Sequence, residues 1–396
     1  MAFWSTVYSV GAKSTRLQKY FEAFQKHEHT AVHYFGMHEY AGMPKEQFPI
    51  ITKHDDSYIC TLAARIASKL SSPLGRSSIG RMVGITCLSN RMALADTFTH
   101  VDVLFCQPYF WHAVRNAKKK GVPVILEIDS DHPLATWSAL REREHVNNIP
   151  RRKADPWNYF PYVQGALQSI EIADKIVVFS DHAEETFLER GYPAEKICKL
   201  RPPLARAMKR AAQKPTEPKF VFASNHPVRK GLDITLTAWK QYCLEGGRGT
   251  LMLCGVENYA SRHIFSRFDT LERVTNLGEV HIDELFADEQ CILISPSFSE
   301  GRPRTVLEAL GSGTPVIASK ASTADLVEDG VSGWIVDTTP AAICRALHAA
   351  QEQWHRIDDF SDAAFASIQN ELDSSEYYEL VHQTIRELVE QKNKTT

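Results

Sequence analysis

The sequence lacks the features that mark several large classes of protein. No two of its eight cysteines form a CxxC pair, and most lie inside apolar runs such as VLFCQ and LMLCG. This pattern is typical of buried thiols in a reducing compartment, not of a disulfide framework. No apolar run approaches the roughly 18 residues that cross a bilayer, and the first residues do not resemble a signal peptide. We therefore expect a cytoplasmic protein without a membrane span.

Neither sign of charge dominates, because 45 Lys and Arg stand against 48 Asp and Glu in 396 residues. This balance argues against wholesale binding to nucleic acid. The basic runs 118–120 and 151–153 lack interleaved aromatic residues for base stacking, so they are either solvated faces or contacts to an anionic membrane surface. The sequence also has no P-loop, no GxGxxG after a strand, no HExxH and no GxSxG.

Short apolar runs alternate with helical patterns along the chain. The second half contains KFVFAS at 219, TLMLCG at 250, CILISPS at 291 and TPVIAS at 314. The first half repeats the pattern more loosely, with strand-like runs at 30, 101, 122, 174 and 196 and an amphipathic helix around 17–24. This alternation predicts parallel α/β sheets.

The chain length predicts two domains at about 150 residues each. The Pro- and Lys-rich segment 201–219 reads as the linker between them. We expect a first Rossmann-like domain over 1–210 and a second over 217–365. Residues 374–396 have apolar side chains on one helical face and then become polar, which predicts a docked helix with a frayed tail.

The strongest chemical signal is SPSFSEGRPRTVLEALGSGTPVIAS at 295–319, which reads as strand, loop, helix and strand. Ligands collect at the carboxyl ends of parallel strands, where the amides of 301–305 offer donors to an anion. Glu300 at the same edge would repel phosphate unless it faces neutral hydroxyls, and Glu308 suits a ribose diol. Taken singly, Glu300 reads as a loop carboxylate and Glu308 as a partner of the helix dipole.

This segment, with DLVEDGVSGWIV after it, resembles the signature of two glutamates in retaining glycosyltransferases of family 4, also called group 1, which have the GT-B fold. VTNLGEVHIDELF and ADKIVVFSDHAEETFLERG resemble further parts of that family, so the likeness covers about 173–336. It implies two Rossmann-like domains facing a cleft, with the last helix crossing back to the first domain. It also implies that Glu300 contacts the donor sugar and Glu308 the ribose. The donor-binding set implied in this stretch is Gly278, Val280, Glu300, Gly301, Arg302, Pro303, Arg304, Thr305 and Glu308.

A second candidate is the loop after the strand at 219, VFASNHPVRKGLDIT. Arg229 and Lys230 at the strand's carboxyl edge suit a diphosphate leaving group. In the family this loop carries a glycine and an arginine where Ala223 and Ser224 stand, whereas Lys230 matches the family's lysine. Arg229 is open to a second interpretation, as a solvated residue at the start of a helix.

A third candidate is Asp129-Ser130-Asp131, after the strand VILEI. Two carboxylates at this spacing can hold Mg²⁺ or Mn²⁺ beside a diphosphate. In the resemblance this strand end faces the donor sugar and usually carries a histidine, so Asp129 takes that role or His132 is its displaced equivalent. The remaining alternative is that both residues cap the next helix.

Two regions concern the acceptor. The loop SVGAKSTRL carries Gly11 and Lys13 and resembles the family's acceptor-side glycine loop, although a capped helix start explains it as well. Residues 66–93 mix apolar residues with widely spaced arginines, and read as a basic loop and helix or as a membrane- or acceptor-docking element.

We therefore expect a retaining glycosyltransferase of hexosyltransferase type. It would take a nucleotide-sugar donor and a glycan or lipid-linked acceptor, require no metal or other cofactor, and use Glu300, Lys230, Asp129 and His132 in catalysis. Two alternatives stay open: a metal-dependent transferase that uses Asp129 and Asp131, and a non-catalytic nucleotide-sugar-binding subunit. Peripheral membrane contact is compatible with the sequence, no nucleic acid partner is expected, and the oligomeric state is not predicted.

Overall fold

The computed structural model describes residues 2–6, 31–35, 51–54, 57–71, 78–94, 101–150, 160–204, 207–255, 258–268, 271–369, 371 and 374–395. Within these residues the strands form two parallel sheets. The first contains β1 (Ala2–Thr6), β2 (Ala31–Phe35), β3 (Ile51–His54), β4 (Val103–Cys106), β5 (Val124–Glu127), β6 (Lys175–Val178) and β7 (Ile197–Lys199). The second contains β8 (Lys219–Ala223), β9 (Thr250–Cys254), β10 (Val274–Gly278), β11 (Ile292–Ser295), β12 (Val316–Ser319) and β13 (Gly333–Val336).

The helices lie between the strands and at the end of the chain. Those of the first half are α1 (Ser57–Ser71), α2 (Ser78–Leu94), α3 (Trp111–Lys119), α4 (Pro133–Val146), α5 (Phe160–Ile172) and α6 (Asp181–Leu188). Those of the second half are α7 (Leu232–Leu244), α8 (Tyr259–Phe265), α9 (Ile282–Asp288), α10 (Arg304–Gly311), α11 (Pro340–Glu352), α12 (Ile357–Gln369) and α13 (Ser374–Thr395). The described part of the chain contains no helix that is long and apolar enough to cross a bilayer.

Both sheets have the same kind of topology. The strand order is β3-β2-β1-β4-β5-β6-β7 in the first sheet and β10-β9-β8-β11-β12-β13 in the second. The order therefore reverses between β1 and β4, and again between β8 and β11. In such sheets the loops that follow the two strands at the reversal point part to opposite faces and leave a crevice between them. Each domain thus presents one crevice at the carboxyl edge of its sheet.

The central strands form because they are short, apolar and covered on both faces. All four residues are buried in each of β4, β5, β11 and β12. Near-continuous apolar runs are what a parallel sheet between two helical layers requires. The predicted class, two parallel α/β domains, is confirmed.

The sequence interpretation missed two strands of the first sheet. β1 begins at the second residue and reads AFWST, and β3 is only ITKH, so neither shows a sustained apolar run. Their pairing is set by neighbours, since Phe3 lies opposite both Val32 of β2 and Val103 of β4. The amphipathic helix expected around 17–24 lies outside the described residues.

The segment between the sheets and the last helix both connect the two halves. After β7, the side chains of Leu204 and Met208 pack so closely on Gly311 that a Cβ there would lie 2.8 Å from Leu204 Cδ2. Helix α13 buries Val381 and Ile385, and its Thr384 Oγ1 lies 3.5 Å from Cys198 Sγ of β7. The last helix is therefore in contact with the edge of the first sheet.

Polar contacts also join the two domains directly. On the α4 side, Arg143 forms an ion pair with Asp233 at the start of α7, and Asn147 Nδ2 donates to the same carboxylate at 2.9 Å. On the other side, Arg201 Nε donates to Asp325 Oδ2 at 3.0 Å. These contacts hold the two sheets facing each other, with a cleft between the two domains.

Candidate functional site

Two loops of the second domain meet at the reversal point of its sheet. The loop 224–231 follows β8, and the loop 296–303 follows β11. Phe298 N donates to Arg229 O at 2.9 Å, which ties the loops together. Gly231 caps α7 with a φ of 79°, and a Cβ there would lie 2.8 Å from Pro296 O. Only glycine therefore suits this position, because it needs both the left-handed backbone and the close approach.

Glu300 lies at the centre of this crevice with two cations around it. Its Oε1 lies 2.6 Å from Lys230 Nζ, and its Oε2 lies 3.4 Å from Arg229 Nη1. Arg229 Nη1 also donates to Ser299 O at 3.0 Å. The side chains of Glu300 and Lys230 are only 7% and 12% exposed. Such buried charges persist only when they are paired, so the three groups form one electrostatic unit.

The protonation state of Glu300 follows from these neighbours. Burial raises the pKa of the carboxyl, but the charges of Arg229 and Lys230 outweigh it and hold the pKa below its usual range. Glu300 is therefore ionised at neutral pH. Burial lowers the pKa of Lys230, and the Glu300 carboxylate at 2.6 Å opposes this shift. With Lys230 protonated, two cations surround one carboxylate, and this arrangement suits a phosphate-bearing ligand.

A set of buried serines holds the loop that carries Glu300. Ser319 Oγ donates to Ser297 O at 2.6 Å, and Ser322 Oγ donates to Ser295 O. The backbone N–H of Ser319 donates in turn to Ser322 Oγ at 3.1 Å. The last residue of β12 and the turn after it therefore fix the backbone at the end of β11 and just beyond it. The sequence analysis did not single out these serines, because the sequence alone does not show which carbonyl each serine faces.

The first domain contacts this loop at Asp129. A Cβ on Gly301 would lie 2.4 Å from Asp129 O and 2.8 Å from Ser130 N, so glycine is required there for the two backbones to touch. Nearby, Thr136 Oγ1 and Ser299 Oγ lie 2.8 Å apart. Two of the candidate segments identified in the sequence, at 129–132 and 300–305, are thus brought together across the cleft.

Tyr109 is a site residue that the sequence analysis missed. It follows β4 at the reversal point of the first sheet and stacks on Tyr162 with ring centroids 4.3 Å apart. Burial raises its pKa well above the usual value, the Asp129 carboxylate raises it further, and Arg229 acts in the opposite direction. Tyr109 is therefore electrostatically coupled to both domains. Its place directly after a strand at the reversal point is the signal that sequence reasoning could have used.

The two aspartates after β5 have different surroundings. Asp129 is exposed, whereas Asp131 is 2% exposed and its Oδ2 lies 3.6 Å from His182 Nε2. The contact with Asp131 is the main cause that raises the pKa of His182, and burial opposes it. Asp131 is thus paired through Oδ2 with a histidine of the same domain, while its Oδ1 is buried without a hydrogen-bond partner.

His132 is the N-cap of α4. Its Nδ1 accepts from Leu134 N at 3.2 Å, and its ring lies edge-on to Phe187 with centroids 4.9 Å apart. Burial lowers its pKa to about 4, with a smaller contribution from Arg190. His132 is therefore neutral at pH 7, and the capping interpretation describes its geometry.

The remaining donor-side candidates differ in exposure. Ser224 Oγ accepts from His226 N at 2.8 Å and so shapes the loop after β8. Glu308 is buried on α10, with its Oε1 3.5 Å from Nε of the exposed Arg304. The Arg302 side chain is only 2% exposed and pairs with Glu371 at 2.7 Å, so its guanidinium lies in the body of the domain.

The other predicted residues of this group are backbone or surface features. Pro303 is the N-cap of α10, so the amides of Arg304 and Thr305 lie in its first turn. Gly278 ends β10 with a φ of 64°, and Val280 is 41% exposed. The acceptor-side pair Gly11 and Lys13 lies outside the described residues. The roles of all these residues stay predictions.

No metal cluster occurs at the cleft in the described ranges. Elsewhere in the described residues, three potential metal ligands have ligand atoms within 4.8 Å of one another: Glu245, Cys344 and His348. They lie between α7 and α11, away from Glu300, and His348 Nε2 is 2.9 Å from Glu245 Oε2. An ordinary histidine–carboxylate hydrogen bond accounts for that contact.

Comparison with known proteins finds a family model and a curated relative that match part of the chain. The family model described as "Glycosyl transferases group 1" matches residues 217–353, which span β8 to α11. A sucrose synthase of Acidithiobacillus caldus is 33% identical over 100 residues, which are 24% of this chain and 12% of that protein. The match therefore spans about an eighth of the curated relative's length.

Solved structures of similar fold cover nearly the whole chain. HepE of Anabaena in complex with UDP-glucose has a TM-score of 0.63 at 15% identity and covers 98% of this chain and 100% of that one. The sucrose-phosphate synthase of Thermosynechococcus elongatus has a TM-score of 0.66 at 14% identity, with 98% of each chain covered. The expected architecture is confirmed: the chain has the two-domain GT-B fold, and residues 217–353 match the model of the glycosyl transferases group 1 family.

Proposed function

We propose that the protein transfers a sugar from a nucleoside-diphosphate sugar to a hydroxyl of a glycan or glycolipid, with retention of anomeric configuration and without a metal. The observation that carries this proposal is the buried unit of Glu300, Lys230 and Arg229 at the crevice between β8 and β11. It offers a preorganised positive charge to a diphosphate and a carboxylate to sugar hydroxyls.

The residues take distinct roles in this reaction. Lys230 and Arg229 neutralise the charge that develops on the leaving diphosphate, together with the amides at the start of α10. Glu300 orients Lys230 and accepts hydrogen bonds from hydroxyls of the donor sugar, and Glu308 holds the ribose diol. Asp129 and Tyr109 close the site from the first domain.

The bond changes balance without a further reactant. The bond between the anomeric carbon and the β-phosphate oxygen breaks, and its electron pair stays on that oxygen. The acceptor hydroxyl then forms the new bond from the same face, and its proton passes to the leaving phosphate oxygen. The protein supplies position and electrostatic stabilisation to a short-lived oxocarbenium-like centre.

Two observations weigh on the alternatives. A metal held by Asp129 and Asp131 is disfavoured, because Asp131 is buried against His182 while Asp129 is exposed. A silent binding subunit was suggested by Ser224 in place of an arginine, but Arg229 supplies a second cation at 3.4 Å from Glu300. Both observations support a metal-independent enzyme.

A donor screen tests the proposal. Thermal shift and hydrolysis are measured with UDP-, GDP-, ADP-, dTDP- and CMP-sugars, each with and without EDTA, beginning with UDP-glucose because HepE of Anabaena was solved with it. A shift and slow hydrolysis with one donor, unchanged by EDTA, support the proposal, and NMR of a transferred product gives the anomeric configuration. Loss of turnover in EDTA would favour the metal-dependent alternative. Binding without hydrolysis or transfer to any acceptor in a lysate would favour the silent subunit.

A further inference from the structure

Helix α1 of the first domain exposes an apolar stripe. Ile59, Leu62, Ile66 and Leu70 recur with helical spacing and are 53%, 44%, 51% and 74% exposed. The opposite side of the helix is packed, since Cys60 is fully buried and its Sγ lies 3.1 Å from Cys87 Sγ of α2. Scattered exposed apolar residues need no explanation, but a continuous stripe marks a contact surface.

Basic residues accompany the stripe, and acidic ones are absent from the segment. Residues 57–94 contain five Lys or Arg and no Asp or Glu, although the chain has 48 acidic residues in total. Arg65 and Lys69 are exposed on α1, one turn apart and next to Leu62 and Ile66 on the helix surface. Leu94, at the end of α2, adds a further apolar side chain that is 80% exposed.

The apolar stripe and the basic residues beside it together indicate the kind of partner. A helix with an apolar stripe bordered by cations suits the boundary between acyl chains and anionic headgroups, where the stripe is buried and the cations stay at the charged surface. A second copy of this chain fits less well, because a symmetric contact would place Arg65 and Lys69 against like charges with no carboxylate on either helix. Nucleic acid would use the cations but not the apolar stripe.

We propose that the face of α1 formed by Ile59, Leu62, Arg65, Ile66, Lys69 and Leu70, here called the α1 face, docks the protein on an anionic lipid bilayer. The helix lies in the plane of the interface and does not cross it. Ser89 Oγ of α2 accepts from His112 N of α3 at 3.1 Å, and α3 begins directly after Tyr109 and Phe110. Helix α2 therefore lies between α1 and the helix that follows Tyr109. This inference does not depend on the proposed transfer reaction.

Vesicle sedimentation of the full chain tests the proposal. We expect binding to phosphatidylglycerol-containing vesicles that weakens with added salt, and much weaker binding to pure phosphatidylcholine vesicles. The double variant Arg65→Ser, Lys69→Ser should lower the partition coefficient about 30-fold, at roughly 1 kcal/mol for each basic residue at the surface. The double variant Ile66→Glu, Leu70→Glu should reduce binding to background.

Matched controls separate docking from folding. Leu244→Glu changes a side chain that is likewise 74% exposed, but on the second domain, and should leave vesicle binding unchanged. Circular dichroism and melting temperature should be the same for all variants, because the altered side chains are exposed. Equal binding to neutral and anionic vesicles would overturn the proposal, as would no vesicle binding. A dimer in solution that the Ile66→Glu, Leu70→Glu variant splits would also overturn it and assign the face to a second copy.

Discussion

The two sheets reverse their strand order in the same way, yet the two reversal points carry different chemistry. In the second domain, two cations surround a buried carboxylate, and serines fix the backbone beneath it. In the first domain, Tyr109 stacks on Tyr162 beside the exposed Asp129. The second crevice is therefore organised around charge before any ligand arrives, whereas in the first the aromatic pair is buried and the exposed group beside it is a single carboxylate. The difference suits a phosphate-bearing donor on one side and a hydroxyl-bearing acceptor on the other.

The largest effect is expected when a cation is removed from the second-domain crevice. Lys230→Ala removes the cation at 2.6 Å from Glu300 and should lower kcat for donor turnover by about 10²- to 10³-fold, as the loss of one electrostatic stabiliser does in other enzymes. The matched control is Lys118→Ala, which breaks the Lys118–Asp174 pair at the far end of the first domain and should leave kcat unchanged. Turnover of Lys230→Ala close to that of the control would contradict the proposed role.

A second prediction concerns the protonation states of buried groups in the two domains. Glu300 is held ionised, whereas His132 has a pKa of about 4, below the usual histidine value of 6.5. The unfolded chain takes up a proton on His132 at pH 6.5 and below, and the folded chain does so only near pH 4. The free energy of unfolding should therefore fall by roughly 3 kcal/mol between these values as the pH decreases.

The variant His132→Asn isolates this contribution. Asparagine keeps an acceptor for Leu134 N, which is what the cap requires, but it does not titrate. Urea unfolding at several pH values should give a shallower pH dependence for the variant than for the wild type between pH 4 and 6.5. Glu300 does not confuse the comparison, because both proteins carry it and its depressed pKa makes its contribution fade only as the pH falls through the carboxyl's usual range and below. Parallel pH profiles for the two proteins would show that His132 titrates normally.

How much of this arrangement the sequence predicts differs between the two domains for a physical reason. β8, β11 and β12 are apolar runs, and α10 begins at a proline and ends near glycines, so pattern alone locates Glu300 and Lys230 at the same edge. The first domain gives weaker patterns, since β1 and β3 lack a sustained apolar run and Tyr109 looks like one aromatic among many. Contacts such as Ser319 to Ser297, or Gly301 against Asp129, depend on tertiary geometry that no local pattern encodes.

A smaller effect is expected from the first-domain side of the cleft. Asp129→Asn keeps the shape of the exposed side chain but removes its charge, and should lower kcat/KM for transfer about tenfold while leaving the Kd for the free nucleotide unchanged. Glu142→Gln, at an exposed position on α4, is the matched control. If Asp129→Asn weakens nucleotide binding as much as transfer, the division between a donor side and an acceptor side is wrong.

The smallest effect is expected at Arg304, which tests whether charge in the second domain acts only where it is buried. Its side chain is 83% exposed and lies 3.5 Å from Glu308, in contrast to the 19% exposed Arg229 beside Glu300. An exposed ion pair contributes about 0–1 kcal/mol, so Arg304→Ala should change kcat by less than about fivefold. Arg229→Ala, measured in parallel, should lower kcat by about tenfold or more, because it removes a charged hydrogen-bonding group from the buried unit. A larger loss at Arg304 than at Arg229 would mean that the guanidinium of Arg304 contacts the diphosphate once donor binds, and the preorganised site would then extend to the start of α10.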